Sequence, residues 1–451
     1  MSHVVAIIGG ATAGAEVAGR LAERGAQVVV FEMNPRPYGK IEDGLPRWHA
    51  ALREKEYATI SEKLARPGVH FVPNTKIGRD VGFEELAREW GFSAVVLACG
   101  AWNDRPLPIE GADAYLGKGL IYQNPFIIWF NHSHEAGYDG PVFEPLDDTI
   151  VVGGGLASID VAKVVMLETT RAKLAERGIE VELLELEVKG IPKTLAAHGL
   201  TFEDLGLQGC TIFYRRRVED MPLVTAPEGA SPERLEKVAK SRERILAKAT
   251  EKYRFALEPC SSPDGVIARD GQLVGLRLRR TVIENGRVIP TDETYERRGS
   301  CVISSIGSIP EPLPGIPMKG ELFAFCDWEN GRLAEYPNVF SVGNIVTGKG
   351  NIVASRKHAR QVSEETIERY LGLGDSGHDD SEALGAETDA TAGADLDGQV
   401  EEVAEFLASE PPLAPERLEA ILSRVRERQA AVGYGGDYAA WLEKVAPVPA
   451  A

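Results

Sequence analysis

The sequence predicts an α/β protein with two Rossmann-like dinucleotide-binding domains, the first of them discontinuous, and a small C-terminal helical appendage. Three observations support this fold class. Two glycine-rich turns, at 9–14 and 153–158, each follow an apolar run and precede a helical pattern. An acidic residue ends the next strand-like run of the first unit, whereas arginines end that of the second. Two further apolar runs, at 93–101 and 300–307, are typical of strands that close such sheets.

The first unit begins with the apolar run 4–8, which leads into the turn 9–14. Ala11 stands in this turn where the usual pattern has its middle glycine. After a helical stretch and the apolar run 28–31 comes Glu32, with 17 residues between it and Gly14. Glycines let a backbone approach a pyrophosphate, a helix N-terminus stabilises its charge, and an acidic side chain holds ribose hydroxyls. Because Glu32 would repel a 2′-phosphate, this unit is expected to bind FAD or NAD.

The second unit begins with the apolar run 148–152, followed by Gly153-Gly154-Gly155. Ser158 replaces the third glycine of the pattern and is also small, so packing of the helix on the strand is preserved. The partner strand, predicted at 210–214, ends in Arg215-Arg216-Arg217. A guanidinium pairs bidentately with a phosphate, so this end favours the 2′-phosphate of NADPH. The alternative is a solvated basic turn.

The closing strands suggest how the domains are divided. We expect 1–105 and 300–372 to form the FAD-binding domain and 106–299 the NADPH-binding domain. A strand predicted at 338–342, a glycine turn and a helix from about Ala354 to Leu371 would complete the first domain. Backbone N–H groups at this strand–glycine–helix joint would suit the edge of a flavin on which negative charge develops.

The C-terminal part differs in composition from the rest. Residues 373–399 are rich in Gly, Ala and Asp, which predicts a flexible acidic linker. Residues 400–451 resume a helical period and are predicted to form the appendage. Docking on the main body, oligomerisation and binding of a partner all remain open for it.

Bulk composition excludes several classes of protein. The net charge is −18, but 371–416 alone carries thirteen acidic residues and neither Lys nor Arg. No basic stripe indicates nucleic-acid binding, and no apolar run is long enough to span a membrane. The five cysteines are scattered, which argues for a reducing cytoplasm and against a redox dithiol or a cysteine-ligated iron–sulfur cluster. We expect a cytoplasmic protein without a resident metal.

Several stretches resemble the adrenodoxin reductase-like flavoproteins, which include ferredoxin–NADP reductases and the NADPH-side subunit of glutamate synthase. The resemblance covers roughly residues 3–372. It is carried by the two unequal strand ends and by 31–39 and 44–49, which are similar to the family's turn over the flavin and the segment after it. Arg215 and Arg216 with the following 219–222 resemble the glutamate synthase branch, and 262–265 the adrenodoxin reductase branch.

The resemblance implies a set of site residues. FAD is expected to contact Gly9, Ala11, Ala13, Gly14, Glu32, Gly39, Lys40, Ile77, Cys99, Gly100, Gly343, Asn344, Gly350, Asn351 and Ile352. NADPH is expected to contact Gly155, Leu156, Ala157, Ser158, Arg215, Arg216 and Glu228. His49 and Asp160 match a pair near the flavin and are the catalytic candidates. The chain departs from the family at Asn344, at Arg47-Trp48 and at Ala50, all close to the expected flavin and electron exit.

The expected function is an NADPH-dependent FAD oxidoreductase that passes electrons to a one-electron carrier such as ferredoxin or flavodoxin. The helical stretch 232–254, with eight basic and four acidic residues, is a candidate dock for an acidic carrier, or simply a solvated helix face. Three alternatives stay open: an electron-input subunit of a larger complex, a flavin enzyme acting on an organic substrate, and a nucleotide sensor without catalysis.

Overall fold

The chain divides into two units in a computed structural model that describes residues 2–227, 229–348, 350–373 and 410–448. Unit 1 comprises Met1–Glu42, Ala51–Trp102 and Ile309–Pro447. Unit 2 comprises Asp43–Ala50, Asn103–Ser308 and Val448–Ala451. Each unit is therefore assembled from separate stretches of the chain. The domain boundaries predicted from the sequence, at 105 and 300, stay a proposal.

Unit 1 is built on a five-stranded parallel sheet in which Val4–Ile8 is central. Every residue of that strand is buried, as expected for a parallel strand covered on both faces. The apolar, β-branched residues of these runs suit such a position. In spatial order the strands are Val339–Ser341, Ala94–Leu97, Val4–Ile8, Gln27–Phe31 and Val69–Val72.

Helices flank this sheet. Thr12–Glu23 follows the first strand directly and buries its small residues and Leu21, which explains the run of alanines and glycines in the sequence. The other unit 1 helices are Ala50–Leu64, Phe83–Arg88, Asn344–Thr347, Ile352–Val362, Glu368–Tyr370, Pro415–Ala431 and Tyr438–Lys444, and a short helix at Lys40–Asp43 lies at the boundary of the units. Two short hairpins pair Met318–Lys319 with Leu322–Phe323 and Phe325–Asp327 with Arg332–Leu333.

Unit 2 contains a second five-stranded parallel sheet. In spatial order its strands are Leu120–Tyr122, Val302–Ser305, Thr149–Gly153, Cys210–Phe213 and Ala256–Glu258. Its helices are Gln123–His132, Leu156–Ala175, Leu183–Lys189, Ile191–Ala197 and Pro232–Tyr253. The buried face of Leu156–Ala175 and the strands it covers form the main core of the unit.

A three-stranded antiparallel sheet was not predicted. Its strands are Ser261–Arg269, Gln272–Glu284 and Arg287–Arg298, joined by two tight turns. Only one face is buried, through Leu273, Leu276 and Leu278, which explains why these strands are not continuously apolar.

The strand Val302–Ser305 lies in the second sheet, between Leu120–Tyr122 and Thr149–Gly153. From the sequence alone, residues 300–372, which include this strand, are expected in the first domain. The difference has a simple cause, since both closing strands are apolar runs that end in small residues and a glycine. Such a composition does not specify which of two similar sheets a strand joins.

The described part of the C-terminal appendage packs against unit 1. Ile421 and Val425 of Pro415–Ala431, and Trp441 of Tyr438–Lys444, are buried in the two cores of that unit. Of the three possibilities left open by the sequence, the structure thus shows docking on the main body for residues 410–448. The predicted linker from 374 onward and the predicted helical positions 400–409 lie outside the described residues. Nowhere in the described ranges is a helix both long and apolar enough to cross a membrane.

Candidate functional site

A cavity of about 440 Å³ lies in unit 1 at the carboxyl ends of the parallel strands. Gly9 follows the central strand, Glu32 follows Gln27–Phe31, and Ala98 follows Ala94–Leu97, and all three line the cavity. Open parallel sheets bind their ligands at this edge, where the strand order reverses on the two sides of the first strand. The cavity is therefore the candidate nucleotide site of unit 1.

Glu32 lies in the wall of this cavity and is only 4% exposed. Its Oε2 accepts a hydrogen bond from the N–H of Gly10 at 2.8 Å. Its Oε1 accepts one from the N–H of Asn34 at 3.0 Å. These bonds fix the carboxylate between the glycine turn and the following loop, where an acidic group suits the hydroxyls of a ribose.

The glycine turn has room for backbone only. Gly9 has a φ of +100°, and a Cβ there would lie 2.7 Å from the carbonyl oxygen of Ala98. At Gly14 a Cβ would lie 1.9 Å from the carbonyl oxygen of Gly9. The close approach of helix and strand that the motif requires is thus present, and the residues fit a pyrophosphate-binding turn.

Most of the predicted FAD residues gather around this cavity. Those that line it are Gly9, Ala11, Glu32, Gly39, Ile77, Cys99 and Gly100. Ala13 and Gly14 belong to the first turns of the adjacent helix Thr12–Glu23. The ammonium of Lys40 lies 5.7 Å from the ring centroid of Trp102, which also lines the cavity. Burial raises the pKa of the Cys99 thiol to about 12, so this group is neutral at physiological pH.

The predicted flavin segment forms a separate turn after the strand Val339–Ser341. Gly343 has a φ of +79° and lies against Ala13, since a Cβ at Gly343 would be 2.9 Å from that of Ala13. The N–H of Gly343 donates to Nδ1 of His358 at 3.0 Å. The side-chain oxygen of Asn344 is buried and has no hydrogen-bond partner among the described residues. A buried acceptor without a partner is costly, so this amide fits a ligand that offers an N–H, as a flavin does.

The rest of that segment begins the next helix. Asn351 caps Ile352–Val362, because its side-chain oxygen accepts from the N–H of Ala354 at 2.7 Å. Gly350 lies near the side chain of Asn344, whose Nδ2 would be 3.7 Å from an added Cβ. The structure therefore brings Gly343, Asn344 and Gly350 together.

Unit 2 presents its own glycine turn. Gly155 precedes the 20-residue helix Leu156–Ala175, and no side chain caps the N-terminus of that helix. Leu156 and Ala157 are exposed, whereas Ser158 is buried. The hydroxyl of Ser158 donates to the carbonyl oxygen of Ser305 at 3.1 Å. An uncapped N-terminus on a long helix leaves its first N–H groups available to a pyrophosphate.

The three arginines after strand Cys210–Phe213 differ in their surroundings. Arg217 pairs with Asp220 at 2.9 Å and with Glu219 at 3.2 Å. Arg216 donates to the carbonyl oxygen of Gly286, in a turn of the antiparallel sheet, at 3.0 Å. Arg215 is exposed, and its guanidinium has no ion pair with any residue that the structure describes. Of the two predicted phosphate ligands, Arg215 is thus the one whose guanidinium is available to bind a phosphate.

The catalytic candidates lie close together within unit 2. Nε2 of His49 is 3.8 Å from Oδ1 of Asp160, and Nζ of Lys163 is 3.8 Å from the same oxygen. Lys163 is also 3.1 Å from Glu187 and lies over the ring of Trp48, 4.2 Å from its centroid. Sequence reasoning predicted the first pair but missed Lys163, which a position one helical turn after Asp160 could have suggested.

The segment that carries His49 is held by the C-terminal end of helix Gln123–His132. Asn131 accepts from the N–H of Arg47 at 3.0 Å and donates to the carbonyl oxygens of Asp43 and Leu45, both at 3.1 Å. His132 adds an ion pair to Asp43. These residues were missed because nothing local in the sequence links positions almost ninety residues apart.

Other parts of the prediction have different outcomes. The loop 75–79 and the stretch 311–314 supply a large share of the cavity wall, but of these residues only Ile77 was predicted. Glu228 lies outside the described residues. No cluster of possible metal ligands occurs in the parts of the chain that the structure covers.

Comparison with known proteins extends this picture. Residues 3–197 match the family model of pyridine nucleotide-disulphide oxidoreductases. The chain is 32% identical to cindoxin reductase of Citrobacter braakii over 184 residues, which are 40% of this chain and 38% of that one. It is 24% identical to the mitochondrial NADPH:adrenodoxin oxidoreductase of Arabidopsis thaliana over 410 residues, 80% of each. With the glutamate synthase [NADPH] small chain of Bacillus subtilis it shares 33% over 159 residues, 35% of this chain and 31% of that one.

Among solved structures, FprA of Mycobacterium tuberculosis in complex with NADPH is similar, with a TM-score of 0.64 and 22% identity over 90% of both chains. This likeness confirms the predicted fold class. The alignments with cindoxin reductase and the glutamate synthase small chain span less than two fifths of those proteins. The predicted family and oxidoreductase class are confirmed by the matches together. Over residues 3–197 the chain thus matches the pyridine nucleotide-disulphide oxidoreductases, and it is similar to adrenodoxin reductase-type and FprA-like ferredoxin–NADP reductases and to the glutamate synthase small chain.

Proposed function

We propose that the chain binds FAD in unit 1 and NADPH in unit 2, and that it passes electrons from NADPH through the flavin to a one-electron carrier such as ferredoxin or flavodoxin. The coarser part, an NAD(P)-dependent flavin oxidoreductase of the adrenodoxin and ferredoxin reductase type, follows from the family. The choice of cofactor at each site and of the acceptor is the proposal.

The contrast between the two strand ends carries this proposal. Glu32 directly follows the strand Gln27–Phe31 of unit 1 as a buried carboxylate, held by the backbone of Gly10 and Asn34. Arg215 lies two residues after the corresponding strand of unit 2, Cys210–Phe213, and carries an exposed guanidinium. A carboxylate repels a 2′-phosphate and a guanidinium attracts one, so FAD suits the first site and NADPH the second.

Within unit 1 the residues have distinct roles. The turn at Gly9 approaches the pyrophosphate, Glu32 holds the ribose, and the amide of Asn344 meets the edge of the flavin. Within unit 2 the uncapped helix N-terminus at Gly155 receives the pyrophosphate, and Arg215 pairs with the 2′-phosphate. When bound, the two cofactors supply the redox chemistry, a hydride transfer from nicotinamide to flavin. The protein has to position and shield them.

His49 and Asp160 have a supporting role in this scheme. A hydride transfer between two rings needs alignment rather than a protein acid, so the pair is not required as a proton donor for it. The separation of 3.8 Å between Nε2 and Oδ1 is an ion-pair distance, longer than a direct hydrogen bond. We propose that the pair, together with Lys163, is the catalytic polar network of unit 2 that the resemblance implies.

The names of the relatives support a protein carrier. Two relatives, cindoxin reductase and NADPH:adrenodoxin oxidoreductase, each carry the name of their acceptor, cindoxin and adrenodoxin. Helix Pro232–Tyr253 exposes Lys237 and Arg244 to solvent, whereas Lys240 pairs with Glu236 on the same helix at 2.6 Å. The free cationic surface is therefore smaller than the sequence predicted, and Lys237 and Arg244 are the residues to test.

Anaerobic mixing tests the cofactor assignment. The purified full-length protein should contain FAD, and NADPH should bleach its absorbance faster and at lower concentration than NADH. Equal or better bleaching by NADH would contradict the assignment of unit 2. Bound FAD that neither coenzyme reduces would indicate a nucleotide sensor, and a chain that holds no FAD would refute the assignment of unit 1.

The acceptor is tested by cytochrome c reduction through added ferredoxin or flavodoxin. Replacing Lys237 and Arg244 by Glu should slow carrier-dependent reduction and flatten its dependence on salt, with flavin bleaching by NADPH unchanged. Replacing Lys193, an exposed lysine on helix Ile191–Ala197, by Glu is the control. A loss of bleaching and of carrier reduction by the same factor would show that the helix does not act as a dock.

A second candidate is an electron-input subunit of a larger oxidoreductase. The 33% identity to a glutamate synthase small chain over 159 residues favours it. In that case the chain should co-purify with a catalytic partner from its native source. Added ferredoxin or flavodoxin should then be reduced no faster with this protein than with free flavin in its place. Purification as a single chain with rapid carrier reduction would instead favour the first proposal.

A further inference from the structure

The C-terminal helix Pro415–Ala431 contacts the loop that forms one wall of the unit 1 cavity. Nε of Arg428 donates to the hydroxyl of Thr75 at 3.0 Å. Nη2 of Arg428 lies 3.6 Å from Oδ2 of Asp80. Thr75 is fully buried and lines the cavity, and Asp80 lies at the other end of the same loop. A single guanidinium therefore ties together both ends of this wall.

The wall itself is directly connected to Glu32. The N–H of Thr75 donates to the carbonyl oxygen of Glu32 at 2.8 Å. Oδ2 of Asp80 accepts from the N–H of Lys76 at 2.8 Å, so the carboxylate that faces Arg428 also closes the loop on itself. Displacement of this loop would open the cavity beside the carboxylate that we assign to the ribose.

Two more side chains of the same C-terminal part hold neighbouring backbone. Nε1 of Trp441 donates to the carbonyl oxygen of Pro35 at 2.8 Å, in the loop that follows Glu32. Nε2 of Gln429 donates to the carbonyl oxygen of Phe71 at 2.8 Å, near the end of the strand that leads into the wall. The side chains of Trp441 and Gln429 are both buried, and breaking a buried hydrogen bond is costly because its partners are left unsatisfied.

We propose that Arg428 and Trp441 are positioning residues for the adenosine half of FAD, and that the C-terminal helices form an outer brace of the nucleotide site. This rests on the assignment of FAD to unit 1. Neither residue lines the cavity, so each acts through the loop that it holds. The predicted helical appendage thereby acquires a role in cofactor retention.

Arg424 separates this role from a purely structural one. It lies one turn earlier on the same helix, pairs with Glu85 at 2.8 Å and stacks on Trp90 at 4.2 Å from the ring centroid. Neither of its partners lines the cavity. Arg428→Ala and Arg424→Ala thus remove comparable contacts of one helix, but only the contacts of Arg428 are made with the loop that forms the cavity wall.

The experiment measures FAD release from the full-length protein by the rise in flavin fluorescence on dilution, together with urea unfolding of each variant after removal of flavin. Arg428→Ala should raise the dissociation constant for FAD about tenfold, the effect of losing one hydrogen bond to a charged group. Arg424→Ala should change it less than about twofold at a similar loss of stability. Thr75→Val removes the same bond from the other side without shortening the side chain. It also removes the bond that the Thr75 hydroxyl donates to the carbonyl oxygen of Pro73 at 3.0 Å, so it should weaken FAD binding at least as much. In the double variant Arg428→Ala/Thr75→Val, the loss of FAD-binding free energy should be smaller than the sum of the losses in the two single variants.

Each outcome decides the proposal. Equal FAD affinities in the Arg428→Ala and Arg424→Ala proteins would overturn it, as would fully additive effects of Arg428→Ala and Thr75→Val. If Arg428→Ala does not fold, Thr75→Val with unchanged FAD affinity would overturn it alone. A wild-type chain that binds no FAD would refute the proposed function itself, whereas tight binding by every variant would refute only the brace.

Discussion

Nε2 of His132 lies 3.0 Å from Oδ1 of Asp43, while Nδ1 of the same ring lies 3.0 Å from Oε1 of Glu135. Burial of this imidazole opposes its charge, but the hydrogen bonds to the two carboxylates outweigh burial and raise the pKa of His132. The protonated ring thus fastens the segment that carries His49 to helix Gln123–His132. Both ring nitrogens can donate only in the charged form.

This relationship predicts a pH-dependent contribution to stability. Because the pKa is raised on folding, His132 stabilises the protein fully below its unfolded value, about 6.5, and the contribution is lost as pH rises through the folded value. His132→Gln should therefore lower the free energy of unfolding most at about pH 5.5, by about 1 kcal/mol or more, and least at pH 8.5. Urea unfolding across this range measures it. His198→Gln, at an exposed position of the same unit, is the control, and a pH-independent gap would contradict the assignment.

His358 should show the opposite dependence on pH. Burial lowers the pKa of His358, and its Nδ1 must be unprotonated to accept from the N–H of Gly343. The folded state then binds fewer protons than the unfolded state, so the stabilisation present at neutral pH is lost as pH falls below about 6.5. Flavin retention measured from pH 8 to pH 5 should fall in the wild type. His358→Gln, which keeps an acceptor without titrating, should flatten this profile, and an unchanged profile would exclude His358 as its origin.

Two adjacent glycines of unit 2 should differ sharply. A Cβ at Gly154 would lie 2.0 Å from the ring of Tyr214, whereas nothing lies within 4 Å of one at Gly155. Gly154→Ala should destabilise the protein by about 1–3 kcal/mol through overpacking. Gly155→Ala should leave stability nearly unchanged and weaken NADPH binding alone. Urea unfolding and NADPH titration of both variants check this. Equal free energies of unfolding would show that the Tyr214 ring moves aside without destabilising the protein.

Arg215 should determine the coenzyme preference. Arg215→Glu removes a charge-assisted contact and adds repulsion, so the ratio of kcat/KM for NADPH to that for NADH should fall tenfold or more. Arg217→Glu is a matched control, since the Arg217 side chain pairs with Asp220 and Glu219. Steady-state reduction of an artificial acceptor with each coenzyme gives the ratio. A larger effect at Arg217 than at Arg215 would reverse the assignment.

The sequence predicts the two parallel sheets because their strands are continuous apolar runs followed by glycine turns. It also predicts much of the cavity, since seven of the proposed FAD residues line it. It does not predict Arg428 or the stretch 311–314, because their roles depend on contacts between distant parts of the chain. The hydrogen bond from Arg216 to the carbonyl oxygen of Gly286 is likewise a tertiary contact that the local sequence does not predict.

The antiparallel sheet, in contrast, has a local signal in its turns. Asp270-Gly271 and Asn285-Gly286 separate its strands, and all four residues have positive φ angles between 48° and 77°. Such pairs are the preferred residues of two-residue hairpin turns. Charged side chains on the strands and Pro290 weakened the alternation that would otherwise have indicated strands.

The contact between Arg428 and Thr75 joins residues 353 positions apart in the chain. A ribosome that has just completed the loop around Thr75 must therefore add more than three hundred residues before the brace exists. The glycine turn and Glu32 are made early, yet the nucleotide site closes late. During biosynthesis, firm capture of the flavin would then have to wait for residue 428, and a polypeptide that stops before this residue would lack the yellow colour of bound FAD.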